Sequence, residues 1–210
     1  MDRVEIPKKA IYRLSIYQRC LSKLQENGKE TVSSSALAGA AGVKPAQLRK
    51  DLTYFGQFGT RGLGYSVAEL RDAIRDVLGR EQLQPVVMVG AGNLGVALLR
   101  YRGFAKEGFE VVAAFDADPE TVISRGVSVP VHGQHEMAAF VREKDVKLAI
   151  LCVPGGVAQE VANELVDAGV QGILNFSPTL LEVPEAVTVN NVDLALELEN
   201  LSYFVSHGEE

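Results

Sequence analysis

The apolar positions of the N-terminal segment recur at helical spacing. Ile11, Leu14, Tyr17, Leu21 and Leu24 form one stripe that opens after Pro7, a residue suited to a first helical turn, and closes at Asn27 Gly28. Ser33 to Ser35 offer caps for a short helix, Ala36 to Ala41, whose small side chains let a neighbour approach closely. Gly42 Val43 makes a turn. Pro45 then starts a third helix, ending near Tyr54, with Leu48, Leu52 and Phe55 turned inward and Gln47, Arg49, Lys50 and Thr53 turned out. A helix, a tight glycine turn and a second helix with a polar, basic outer face is the arrangement that sends a recognition helix into the major groove. From Gly56 to Tyr65 four glycines fall in ten residues, which suits a β-hairpin acting as a wing, with Arg61 near its tip. Helical spacing returns from Ser66, a cap, to Leu78, and Gly79 to Pro85 reads as a polar linker.

From Val86 the pattern changes. Short apolar runs (Val86 to Val89, Glu110 to Phe115, Val127 to Val131, Lys147 to Val153, Gly172 to Asn175) alternate with helical stretches (Asn93 to Ala105, His135 to Glu143, Val157 to Ala168). Such alternation predicts a parallel, doubly wound sheet. An extended Ala186 to Val189 follows, and then a last helix from Val192 to Val205. Its stripe of Leu194, Leu198, Leu201 and Val205 is widened by Leu196, Tyr203 and Phe204 beyond what a surface helix uses, so it needs burial on more than one side. It could pack on its own domain, but a chain that must read DNA symmetrically gains from crossing it into a partner, as a homodimer. The expected fold class is α/β, with a winged-helix DNA-binding domain over 1–80, a Rossmann NAD(H)-binding domain over 85–190, and a C-terminal dimerisation helix and tail over 191–210.

The strongest chemical signal is Gly90 Ala91 Gly92 Asn93 Leu94 Gly95, placed between a strand and a helix. Gly90 permits the tight turn, Gly92 lets the backbone approach a pyrophosphate, and Gly95 lets the helix pack on the strand with its N-terminus facing the phosphates. Asp116, 21 residues after Gly95 at the end of the second strand, is spaced as the acid that accepts from the adenosine ribose. A carboxylate there repels a 2′-phosphate, which favours NADH and NAD+ over their phosphorylated forms. Val153 and Pro154, with Phe176, should lie at the carboxyl edge of the sheet, where such folds bind ligands.

Composition decides between sensing and turnover. The net charge of −6 conceals +5 over residues 1–84 and −11 over 85–210, so double-stranded DNA would be drawn to the first half alone. Among only three histidines, His207 lies in a polar tail, and His132 and His135 read as loop residues with no surrounding acid or cysteine cluster for a metal. Hydride transfer needs a positioned proton donor and a second-substrate pocket, and too little chain follows the last strand to build one. The reading is therefore a sensor and no enzyme, with a small NAD-dependent oxidoreductase or a CoA-binding module as the alternatives. No stretch approaches the roughly 18 apolar residues of a membrane span, and the charged N-terminus has no apolar run behind it, so a soluble cytoplasmic protein is expected. Cys20 and Cys152 read as core thiols.

The runs Gln47 to Tyr65, Gly90 to Gly95 and Gly172 to Pro178 together resemble the Rex family of bacterial redox-sensing transcriptional repressors, and the likeness spans nearly the whole chain. The resemblance implies a homodimer with a swapped C-terminal helix, bound to a palindromic operator and released when NADH accumulates. It implies Arg49 and Lys50 as recognition-helix contacts and Arg61 as the wing contact, and Lys44, Gln47 and Tyr54 are placed with them as candidate DNA contacts. Tyr101 would lie near the nicotinamide, and Arg19 with Asp193 would couple cofactor state to domain orientation. Leu194 departs from the pattern, standing where some relatives carry an aromatic residue near the nicotinamide.

Overall fold

The computed structural model describes residues 6–56, 58–59, 64–79 and 83–207. Contacts divide the chain into two units, Met1–Gln82 and Leu83–Glu210.

In the first unit, α1 (Lys8–Glu26) begins after Pro7 and ends where Gly28 takes a φ of 70°. Strand β1 (Thr31–Val32) leads to α2 (Ser34–Ala40), whose Ser33 cap accepts from the Ala36 N–H at 3.1 Å. Helix α3 (Pro45–Thr53) follows, then β2 (Tyr65–Ser66) and α4 (Val67–Val77), capped by the Ser66 hydroxyl on Glu69 N–H. Leu14, Tyr17 and Leu21 of α1 meet Leu37, Leu48, Leu52, Leu70 and Ile74 in one core. Strand β2 pairs antiparallel with β1 (Thr31↔Ser66, Val32↔Tyr65), and 57 and 60–63 of the hairpin expected over 56–65 lie outside the described residues. Of the residues that are described, a Cβ on Gly59 would stand 2.6 Å from the Gly64 carbonyl oxygen. Arg61, the expected wing tip, lies outside the described residues.

The second unit is a six-stranded parallel sheet. It comprises β3 (Gln84–Val89), α5 (Asn93–Leu99), α6 (Gly103–Lys106), β4 (Phe109–Asp116), α7 (Pro119–Ser124), β5 (Val131–Gly133), a 3₁₀ turn (Gln134–Glu136), α8 (Met137–Glu143), β6 (Leu148–Leu151), α9 (Gly155–Ala168), β7 (Gly172–Asn175), β8 (Thr188–Asn191) and α10 (Leu194–His207). Strand order is β5-β4-β3-β6-β7-β8. Both faces are covered: Val87 and Val89 pack with residues of α8 and α9, while Val86 and Met88 join a cluster flanked by Leu98, Leu99 and Phe104. That is why β3 is apolar without alternation.

Three expectations are corrected. The helix expected over 93–105 breaks after Leu99, and the Tyr101 ring lies where a Cβ on Gly103 would collide with it. Helix α7 was not foreseen, although Asp118, whose side chain accepts from Thr121 N–H, and Pro119 form an ordinary cap and first turn. The third strand is Val131–Gly133, later than expected, so His132 is a strand residue stacked on Phe115 at 5.6 Å, and His135 sits in the 3₁₀ turn. Both cysteines are half-buried, and burial pushes the Cys152 thiol up to about 12, leaving it protonated and unreactive at neutral pH.

Candidate nucleotide cleft and nucleic-acid interface

The chain leaves β3 for β4 on one side, while β6 lies on the other, so the carboxyl end of β3 is the switch point at which open α/β sheets bind ligands. Gly90 stands there at φ 86°, and a Cβ would sit 2.6 Å from the Cys152 carbonyl. A Cβ on Gly95 would strike the Gly90 carbonyl oxygen, whereas one on Gly92 would meet nothing within 4 Å. The first and third glycines therefore serve packing, and the second faces open space where a phosphate can approach. Ala91 is buried, and Asn93 and Leu94 are exposed in the first turn of α5.

Asp116 is tied to this loop directly. Its Oδ2 accepts from Ala91 N–H at 2.6 Å and its Oδ1 from Asp118 N–H at 2.9 Å. Each carboxylate oxygen has a second lone pair, so ribose hydroxyls can still be accepted. Arg125 donates from Nη1 to Asn93 Oδ1 at 3.3 Å, and Arg100 donates to the Arg125 carbonyl. With Val96 and Ala97 these three line a cleft of about 390 Å³. The two arginines escaped the sequence reading, although they are two of only seven basic residues in the acidic half.

Val153 and Pro154 precede α9, and Phe176 follows β7, so these three share the carboxyl edge with the glycine loop and Asp116. Asn175, also missed, organises that edge. It is 1% exposed; its Nδ2 donates to the Thr179 carbonyl (2.8 Å) and Asn191 Oδ1 (2.9 Å), and its Oδ1 accepts from Ser177 N–H and Oγ. Tyr101 lies beyond the far end of α5, 60% exposed, with its ring against Phe104 at 5.2 Å. No group of acids, cysteines and histidines suited to a metal occurs among the described residues.

On α3, Lys44, Arg49 and Lys50 are exposed and Tyr54 is half-buried at the helix end. Arg49 donates to Ser34 Oγ at 3.2 Å, tying α3 to the start of α2. Gln47 is half-buried on the outer face and is not free there: its Nε2 donates to Asp51 Oδ1 at 2.8 Å. Asp51 is fully buried and also takes a two-pronged contact from Arg13 and the Tyr17 hydroxyl. An aspartate inside an amphipathic helix gave no sign of this. Arg19 is exposed on α1, and Asp193 accepts from the Ala195 and Leu196 N–H groups as the cap of α10.

Two family descriptions match the chain: "Putative DNA-binding protein N-terminus" over residues 5–53, and "CoA binding domain" over 81–179. The chain is 47% identical to the redox-sensing transcriptional repressor Rex of Carboxydothermus hydrogenoformans, over 97% of this chain and 98% of that protein. It is 44% identical to Rex of Syntrophobacter fumaroxidans, over 99% of this chain and all of that protein. The chain belongs to the Rex family. Its relatives are repressors, and it is not an enzyme. A Rex-family repressor solved with NAD+ and operator DNA is 35% identical, with a TM-score of 0.89 over 98% of this chain and 94% of that one. The same repressor solved with NADH is 34% identical, with a TM-score of 0.86 over 97% and 95% of the two chains. These Rex structures share the fold of this chain, an N-terminal DNA-binding domain followed by a Rossmann-like parallel sheet.

Proposed function

We propose that this Rex protein represses transcription according to the NADH to NAD+ ratio, gripping a palindromic operator as a homodimer and letting go when NADH fills the cleft at the end of β3. The observation that carries the reading is that one chain holds both an exposed basic helix, α3, and a parallel sheet at whose switch point the Gly90–Gly95 turn is hydrogen-bonded through Ala91 N–H to Asp116. Residues 1–80 are the DNA-binding domain, 85–190 the NAD(H)-binding domain and 191–210 the dimerisation helix and tail.

The loop from Gly90 to Gly95 cradles the pyrophosphate, Asp116 accepts from the adenosine ribose, and Arg100 and Arg125 add positive potential beside Asn93. Val153, Pro154 and Phe176 bound the nicotinamide end. Reduced nicotinamide is uncharged and the oxidised ring is cationic, so an apolar pocket prefers NADH through the cost of burying charge. Lys44, Arg49, Lys50 and Tyr54 contact the operator with Gln47, and Arg61 enters the minor groove from the wing, where narrow A·T-rich DNA concentrates negative potential. Helix α10 exposes Leu194, Leu198, Leu201, Tyr203 and Phe204 by 59–68% in the single chain, which supports its exchange into a second copy. In that dimer Tyr101 approaches the nicotinamide, and Arg19 pairs with Asp193 to couple cofactor state to domain orientation. The protein works in the cytoplasm, and no helix among the described residues is long and apolar enough to cross a membrane.

The test is a gel-shift titration on a palindromic, A·T-rich fragment from the gene's own upstream region. NADH is expected to release the fragment at concentrations where NAD+ does not, with CoA inert as a competitor. Release by CoA, or equal retention with and without NADH, would overturn the reading.

A further inference from the structure

Asp51 lies in the middle of α3 but faces inward, and four donor groups converge on it. Its Oδ2 accepts from Arg13 Nε at 2.6 Å and from the Tyr17 hydroxyl at 2.8 Å; its Oδ1 accepts from Arg13 Nη2 at 2.7 Å and from Gln47 Nε2 at 2.8 Å. Burial pushes this carboxyl up, but the bonds from Arg13, Tyr17 and Gln47, with the charge of Arg13, outweigh it and hold the group below the usual carboxylate range. An ionised carboxylate can only accept. The end of the Gln47 amide that meets it must therefore be the nitrogen, and the oxygen is turned away.

This fixes a side chain that would otherwise be ambiguous. A free glutamine amide rotates by 180° at little cost and so presents donor and acceptor in either order. Base pairs are told apart in the major groove by the order of donors and acceptors: adenine offers N7 as acceptor and its N6 amino group as donor, while guanine offers two acceptors. A glutamine whose polarity is fixed discriminates between them, and one free to flip adapts to both.

We propose that Asp51 is a specificity-determining positioning residue: it never touches DNA, but by holding the Gln47 amide nitrogen it sets the polarity with which α3 reads one operator base. The inference rests on the proposed function, since it needs α3 in the major groove and Gln47 at a base. Arg13 and Tyr17 enter as the groups that keep the carboxylate ionised and in place.

Asp51→Asn tests it with little change of shape. An amide at position 51 keeps one oxygen for Arg13 Nε and Tyr17 and puts an N–H donor where Oδ1 accepted from both Arg13 Nη2 and Gln47 Nε2, so the Arg13 contact falls to one prong and the Gln47 amide must flip to offer its oxygen. The full-length protein is titrated with operators carrying single base-pair changes, at a temperature where every variant is folded by circular dichroism. The base read by Gln47 is the position whose preference disappears in Gln47→Ala. There, Asp51→Asn is expected to lower the preference about threefold to tenfold, the range of one net hydrogen bond, with unchanged affinity for non-operator DNA. Arg13→Lys keeps a cation beside Asp51 and is expected to retain the preference while losing thermal stability. Unaltered preference in Asp51→Asn, equal loss in Arg13→Lys, or no position sensitive to Gln47→Ala would each overturn the proposal. Release of the operator by NADH, read on the same gels, separates that failure from failure of the repressor reading.

Discussion

Asp116 joins the two readings of the nucleotide cleft, because it holds the Ala91 N–H and is also the acid spaced to meet a ribose. Asp116→Ala is expected to weaken NADH and NAD+ alike by about tenfold to a hundredfold, the range of hydrogen bonds to a charged group, as measured by calorimetric titration. Unequal losses would move its contact to the nicotinamide end. Lys50 is exposed and belongs to the other unit. Lys50→Ala is expected to lower operator affinity and reduce the slope of log affinity against log salt by about one, as for a lost phosphate contact, without altering NADH binding. Asp51 adds a pH signature. Its folded-state pKa is depressed, so its stabilisation is present above the unfolded value of about 4 and is lost as pH falls through the lower folded value. The melting-temperature gap between wild type and Asp51→Asn is therefore expected to hold steady from about pH 8 to pH 5 and to close below about pH 4.

Periodicity exposed the elements wherever one physical requirement dominated. The stripe of α1, the capped starts of α2 and α4 and the continuous apolar run of β3 each answer to burial or capping alone, so they read directly from the chain. The glycine fingerprint was legible for the same reason, since three close approaches demand three absent side chains. Elements decided by tertiary contact did not show. The break after α5 goes with Tyr101 folding over Gly103, and β2 pairs with β1, a strand that precedes two helices, which no local pattern announces. Gln47 sits on a polar face yet turns to Asp51, a partner one helical turn away whose burial no pattern announces. Helix α10 was legible as an element but not in its surroundings, and its large apolar side chains are more than half exposed in the single chain. Burying a leucine is worth about 1.5–3 kcal/mol. Leu198→Glu with Leu201→Glu is thus expected to give a monomer in sedimentation at micromolar concentration, and a persistent dimer would place the interface elsewhere.

At the scale of the whole molecule, the two units carry opposite charge, and the basic one holds α3, the helix proposed to read DNA. A sensor of this kind works only if cofactor and operator favour different arrangements of the same dimer, because a ligand indifferent to two states shifts neither. Linkage then makes the effect reciprocal: for each NADH bound, the factor by which it weakens operator binding must equal the factor by which operator weakens binding of that NADH. The direct test is NADH affinity, measured by fluorescence titration of the full-length protein with and without a saturating operator duplex. The account predicts weaker NADH binding on the operator, with the factors at the two clefts of a dimer multiplying to the factor that saturating NADH imposes on the DNA in the gel shift. Identical NADH affinity in the two titrations would contradict it.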